Sequence, residues 1–130
     1  MDKQKVRDRI MEIGIVPVVR ASSPGEARMA ADAISKGGIP IVEITMTVPG
    51  ALDVIRELAK NSASDVLVGA GTVLNAEAAR QCLDAGAQFL VSPGLNLQTV
   101  ELAVREGKLI LAGGTPAAFT AMPTILQMAW

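Results

Sequence analysis

One carboxylate and a run of hydroxyls stand where this chain could move protons on a small acid. Glu43 is alone in the apolar run Ile39 to Ile44, and Thr45 and Thr47 follow it at two-residue steps. Arg20 follows the run Ile15-Val16-Pro17-Val18-Val19. Thr72 follows Val66 to Ala70, Ser92 follows Gln88 to Val91, and Thr115 follows Lys108 to Ala112. Apolar strands of a parallel sheet are buried on both faces, and a bare carboxylate there is costly. Glu43 is therefore either a structural partner of Arg20 or an acid–base group lining a cavity. A single Ser or Thr in such a place is ordinarily a cap or turn former, and a single Arg a surface ion pair. The set is more specific than its members, because every strand-like run ends in a polar residue.

Composition narrows the chemistry. The 130 residues suffice for one domain with a core, and half are apolar, yet there are only two Phe, one Trp and no Tyr, so the core is aliphatic. There is no histidine, which excludes a Ser-His-Asp triad, a Cys-His pair and a His metal ligand. Acid–base work falls to Asp, Glu, Lys or water. The net charge of −1 gives no basic footprint for nucleic acid or an anionic membrane. No apolar stretch reaches the length of a membrane span, and residues 1–9 lack the apolar region of a signal peptide. The one cysteine, Cys82, lies in a helical pattern and reads as an inert buried thiol. A single thiol forms no internal disulfide and fits a reducing, cytoplasmic setting.

These residues must be positioned by a repeated unit. Val6, Ile10 and Ile13 share a helix face that Gly14 ends. Ser22-Ser23-Pro24 opens a helix that Gly37-Gly38 stops, Pro49 to Lys60 is a third, Asn75 caps a fourth over Ala76 to Ala85, and Asn96 or Leu97 to Glu106 is a fifth. The strand-like runs begin near residues 15, 39, 66, 88 and 109. Strands alternating with helices imply a parallel sheet. A doubly wound sheet competes with a barrel, but no Gly-x-Gly-x-x-Gly follows the first strand. The fold expected is α/β: a partial TIM-type (β/α) barrel of about five parallel strands with outer helices, the polar residues converging at the strand C-termini.

The segments Val-Pro-Val-Val-Arg (16–20), Val-Glu-Ile-Thr-Met-Thr (42–47), Val-Gly-Ala-Gly-Thr-Val (68–73), Gly-Ala-Gln-Phe-Leu-Val-Ser-Pro-Gly-Leu (86–95) and the Ala-Gly and Thr-Pro pairs of 112–116 resemble the 2-keto-3-deoxy-6-phosphogluconate / 4-hydroxy-2-oxoglutarate aldolase family. The resemblance covers about residues 5 to 113. It implies an N-terminal part of a (β/α)8 barrel over residues 1–113, followed by a divergent apolar tail over 114–130. It also implies a lyase that releases pyruvate and glyceraldehyde 3-phosphate from a 2-keto-3-deoxy sugar acid phosphate through a lysine Schiff base. No metal or cofactor is implied, and the assembly is a homo-oligomer, typically a trimer. By motif, Glu43 resembles the proton-shuttling carboxylate and Thr72 the residue that binds the pyruvate carboxylate. Arg20 and the Ser92-Pro93 turn resemble site-wall positions, and Thr45, Thr47 and Thr115 complete the expected substrate-binding set. Some members carry Arg where Thr47 stands, which leaves Arg20 as the carboxylate partner here.

The sequence also departs from that pattern. The family's Schiff-base lysine lies in a Lys-Phe-Phe-Pro-like motif on a sixth strand, and this chain has no such motif. Its lysines, Lys3, Lys5, Lys36, Lys60 and Lys108, fall in the leading helix or just before strands. After the fifth run, Gly114-Thr115-Pro116-Ala117-Ala118 lacks the family's Glu. The chain is thus expected to be truncated before the lysine and inactive alone. The alternative, from another class, is a non-catalytic βα scaffold or self-assembly module, since an open sheet leaves two strand edges. A different phosphate-sugar barrel with Glu43 as sole base is the remaining enzymatic reading.

Overall fold

The computed structural model describes residues 1–61 and 65–114. The expected tail, apart from Gly114, and with it Thr115, lies outside the described residues. The order of elements is α1 (Lys3–Ile13), β1 (Val18–Val19), α2 (Pro24–Lys36), β2 (Ile41–Thr45), α3 (Ala51–Asn61), β3 (Leu67–Gly71), α4 (Ala76–Asp84), β4 (Phe89–Ser92), α5 (Leu97–Arg105) and β5 (Leu109–Ala112). The strands form one parallel sheet in the order β1-β2-β3-β4-β5. A sequential order has no switch point of the doubly wound kind. Five parallel strands with the helices α2–α5 on one face make the expected partial barrel, which is not closed.

Local chemistry sets the element ends. Side-chain oxygens of Asp2, Ser23, Asn75 and Asn96 accept backbone N–H bonds at the starts of α1, α2, α4 and α5, satisfying donors the helix leaves orphaned. Pro24 supplies the preset φ of a first helical turn. Gly14, at φ 75°, closes α1 by donating to the Ile10 carbonyl at 2.9 Å.

β1 is shorter than the expected 15–19 run. Pro17 has no N–H to give, so the ladder opens with the Glu43 N–H donating to the Pro17 carbonyl at 2.9 Å. Val16 joins the inner cluster instead of pairing. β2 likewise starts at Ile41, two residues after the expected Ile39.

Residues paired across parallel strands share a face, so the register yields rows. Val18, Glu43, Gly69, Phe89 and Leu109 form one row on the concave side, and Val19, Ile44, Ala70, Leu90 and Ile110 form the next, facing the helices. The helix-side row belongs to a large aliphatic core with Ala27, Val54, Ile55, Ala79, Val100 and Ala103. On the concave side α1 lays Val6 and Ile10 over Ile41, Leu67, Phe89 and Leu109, sealing the bottom of the strands. Among the described residues, no helix is long and apolar enough to cross a membrane.

Candidate functional site

Glu43 sits in the middle of β2 and is the one charged residue among the buried described residues, at 7% exposure. Its row neighbour Gly69 leaves a space that the Phe89 ring fills: a Cβ built at Gly69 would lie 2.6 Å from Phe89 Cε1. The carboxylate therefore leans toward the C-terminal end of β3. There a Cβ on Gly71 would lie 2.7 Å from Glu43 Cδ and 3.0 Å from Cγ. Burial pushes the Glu43 pKa above the usual carboxylate value, and the positive charge of Arg20 partly opposes this.

Arg20 follows β1 directly and is exposed. Six of the seven arginines form ion pairs: Arg7, Arg9, Arg28, Arg56, Arg80 and Arg105. Arg20 is the exception among the described residues, and the carboxylate that feels its field is Glu43. With no ion pair between them, the structural-pair reading of Glu43 loses its geometry. A guanidinium outside any ion pair among the described residues is suited to a planar carboxylate.

Thr72, just past Gly71, has a φ of 55° and is half-buried. A β-branched residue in the left-handed region costs on the order of 1–3 kcal/mol, and among the described residues Thr72 is the sole non-glycine with positive φ. Bonds on both sides hold this turn. The Met46 N–H donates to the Gly71 carbonyl at 2.9 Å, and the Val73 N–H to the Val91 carbonyl at 3.1 Å.

The other hydroxyls are drawn into the framework. Thr45 Oγ1 is fully buried and donates to the Val19 carbonyl at 3.3 Å, while lying 2.7 Å from Thr47 Oγ1. Thr47 is exposed. Ser92 is buried and donates to the Gly94 carbonyl within its own turn. Pro93 is exposed on that turn, and with Leu74, Ser92, Leu95 and Asn96 it lines a shallow cavity of about 360 Å³. So Glu43, Arg20 and the Thr72 turn share the C-terminal end of β1–β3, and the Ser92-Pro93 turn lies at the same end of β4. The residue missed from the sequence is Gly71. The available signal was a second glycine, two positions after Gly69, inside a strand where glycine is unfavourable.

Cys82 is buried on α4, and its thiol contacts Met46 Sδ at 3.4 Å. Burial raises its pKa to about 11, which keeps it protonated and unreactive.

The lysines lie elsewhere. Lys36 and Lys60 fall in the last turns of α2 and α3, and Lys108 immediately precedes β5. All three belong to the end of the sheet opposite Arg20 and Thr72. Lys3 and Lys5 are on α1.

Known proteins place this geometry. A family model described as KDPG and KHG aldolase matches residues 6–126, running beyond the 5–113 over which the motifs are read. A 2-dehydro-3-deoxy-phosphogluconate aldolase of Haemophilus influenzae is 38% identical over 99 residues, covering 76% of this chain and 46% of the relative. One from Zymomonas mobilis is 35% identical over 112 residues, covering 85% and 53%. In structure, the 2-keto-3-deoxy-6-phosphogluconate aldolase of Zymomonas mobilis superposes with a TM-score of 0.75 at 34% identity, over 87% of this chain and 53% of that one. The KDPG aldolase of Legionella pneumophila, solved with pyruvate captured as a covalent carbinolamine, gives 0.74 at 28% identity over 88% and 54%. The chain spans about half the length of the relatives it matches. By its motifs, its sheet and these likenesses, the chain belongs to the KDPG and KHG aldolase family.

Proposed function

We propose that this chain carries the 2-keto-acid end of a class I aldolase site, built from Glu43, Arg20 and Thr72, and lacks an amine to complete the reaction. The observation that supports it most is Glu43, a buried carboxylate held above its ordinary pKa and acted on by Arg20, an arginine without an ion pair among the described residues. A carboxyl in that state can both take and return a proton. Arg20 and the Thr72 turn are the groups for the carboxylate of pyruvate. Thr47, Ser92, Pro93 and Thr115 are the remaining wall positions, and Thr45 acts through Thr47 and Val19. The natural substrate class is a 2-keto-3-deoxy sugar acid phosphate, in a homo-oligomer, trimeric by family resemblance, in the cytoplasm.

Schiff-base formation needs an amine at about 3 Å from the carbonyl, partly neutral near pH 7. Lys36, Lys60 and Lys108 are a strand length away, roughly 15 Å, at the solvated end. The chain alone therefore binds pyruvate without turning over. Pyruvate titration followed by NMR tests this, with Arg20→Ala and Thr72→Val each expected to weaken binding about tenfold, near 1.4 kcal/mol. Borohydride with pyruvate is expected to leave no adduct in the mass spectrum. A stable adduct together with pyruvate release from the sugar acid phosphate would overturn the missing-amine reading. No binding at all would overturn the site.

A second reading, as a non-catalytic self-assembling module, is favoured by one observation. Val18, in the Glu43 row on edge strand β1, is 51% exposed although it faces the concave side. Apolar exposure beside an unpaired edge promotes association. Sedimentation showing oligomers without pyruvate binding would favour this reading.

A further inference from the structure

We infer that Gly71 is the positioning residue for Glu43: its missing side chain is the seat on which the carboxylate lies, with the Phe89 ring over Gly69 as the wall that keeps it there. This rests on the reading of Glu43 as the working carboxylate, but its evidence is geometric. Gly71 is not demanded by backbone conformation, because its φ is not positive. It lies inside β3, paired with Thr45, where glycine weakens a strand. The three heavy atoms nearest a Cβ built at Gly71 all belong to Glu43. The three nearest a Cβ at Gly69 all belong to Phe89. The two strand glycines thus make two separate berths, one for the ring and one for the carboxylate. Phe89 occupies the lower berth and is fully buried, so Glu43 cannot lie back against its row neighbour.

The consequence concerns where the acid–base group sits. Glu43 is a flexible side chain, so a methyl at Gly71 displaces it rather than the strand. The direction left open is toward solvent and Arg20, since Gly69 is closed by the ring. Of the charged groups on the elements packed around it, only Arg20 acts on Glu43. Displacement removes burial and brings the guanidinium nearer, and both lower the pKa.

The test compares Gly71→Ala, Glu43→Ala and the double variant in the full chain, without pyruvate. Carbon-13 titration of the Glu43 carboxyl is expected to move to lower pH in Gly71→Ala. In thermal melts, Gly71→Ala is expected to lower Tm with Glu43 present and not with Ala at 43, a coupling that an independent structural glycine does not show. If Gly71→Ala fails to fold, recovery of folding in the double variant supports the seat. Failure of both variants to fold, or an unshifted Glu43 titration in folded Gly71→Ala, overturns it. Pyruvate binding is then measured separately: an intact coupling with no pyruvate binding would reject the keto-acid reading and leave the seat standing.

Discussion

Thr45 Oγ1 lies 3.3 Å from the Val19 carbonyl and 2.7 Å from Thr47 Oγ1. The Thr45 hydroxyl has one proton, so if it donates to Val19, Thr47 donates to Thr45. The bond ties the end of β2 to the last residue of β1, the point from which Arg20 departs. Thr45→Val leaves the buried Val19 carbonyl without this partner and is expected to cost about 1–3 kcal/mol. Thr47→Val, at an exposed position, is expected to stay within about 0.5 kcal/mol. Urea denaturation of the two variants checks the ranking, and equal losses would mean that the Thr45 bond is not structural.

Glu43 makes stability depend on pH in an unusual direction for a carboxylate. Its folded pKa is raised, chiefly by burial, so between the unfolded and folded values the native state holds the extra proton. Stability is then fully present below the unfolded value and is lost as pH rises through the folded one. Glu43→Gln, which cannot ionise, is expected to melt higher than the wild type at pH 7, with the gap closing toward pH 4. Melts across that range check it, and a gap that widens in acid would reverse the assignment of burial as the larger cause.

Arg20 is the opposing influence on that carboxylate. Arg20→Ala removes the attraction and is expected to move the Glu43 titration to still higher pH. Because Arg20 is exposed and has no ion pair among the described residues, global stability should change by less than about 0.5 kcal/mol. NMR titration paired with urea unfolding separates the two effects. A large stability loss with an unmoved titration would make Arg20 a structural residue.

Cys82 is expected to resist thiol reagents at pH 8 while the chain is folded. With a pKa of about 11, its thiolate fraction is roughly two orders of magnitude below that of a free cysteine, and burial removes access as well. Labelling with a chromogenic disulfide in buffer and in urea measures this. Rapid labelling of the native chain would show that α4 opens readily.

Much of the framework was legible in the sequence because its causes are local. The helix start at Ser22-Ser23-Pro24, the cap at Asn75, the stop at Gly14 and the alternation of apolar runs with helical stripes each reside in a few residues and formed as read. Of the two starts open for the fifth helix the structure takes Leu97, with Asn96 as its cap. Pro17 already marked the start of β1 as unable to donate, although the apolar run around it reads as a longer strand than the two residues that pair. Arg20 and Thr72 stand directly after β1 and β3, as the local pattern implies, whereas Glu43 stands in the middle of β2 and not at its end.

What tertiary structure alone decided is which groups are spent and which remain available. The four residues that shape the Glu43 environment, Gly69, Gly71, Phe89 and Arg20, come from β3, β4 and the end of β1. Their meeting depends on the register between strands, which pairs segments far apart in the chain and is not encoded in any short window. The same holds for Thr45, whose hydroxyl is turned onto the Val19 carbonyl 26 residues away, whereas Ser92 is engaged locally by the Gly94 carbonyl of its own turn. A side chain's type and spacing are properties of the sequence. Whether its donor is already engaged, and whether water reaches it, are properties of the packed sheet.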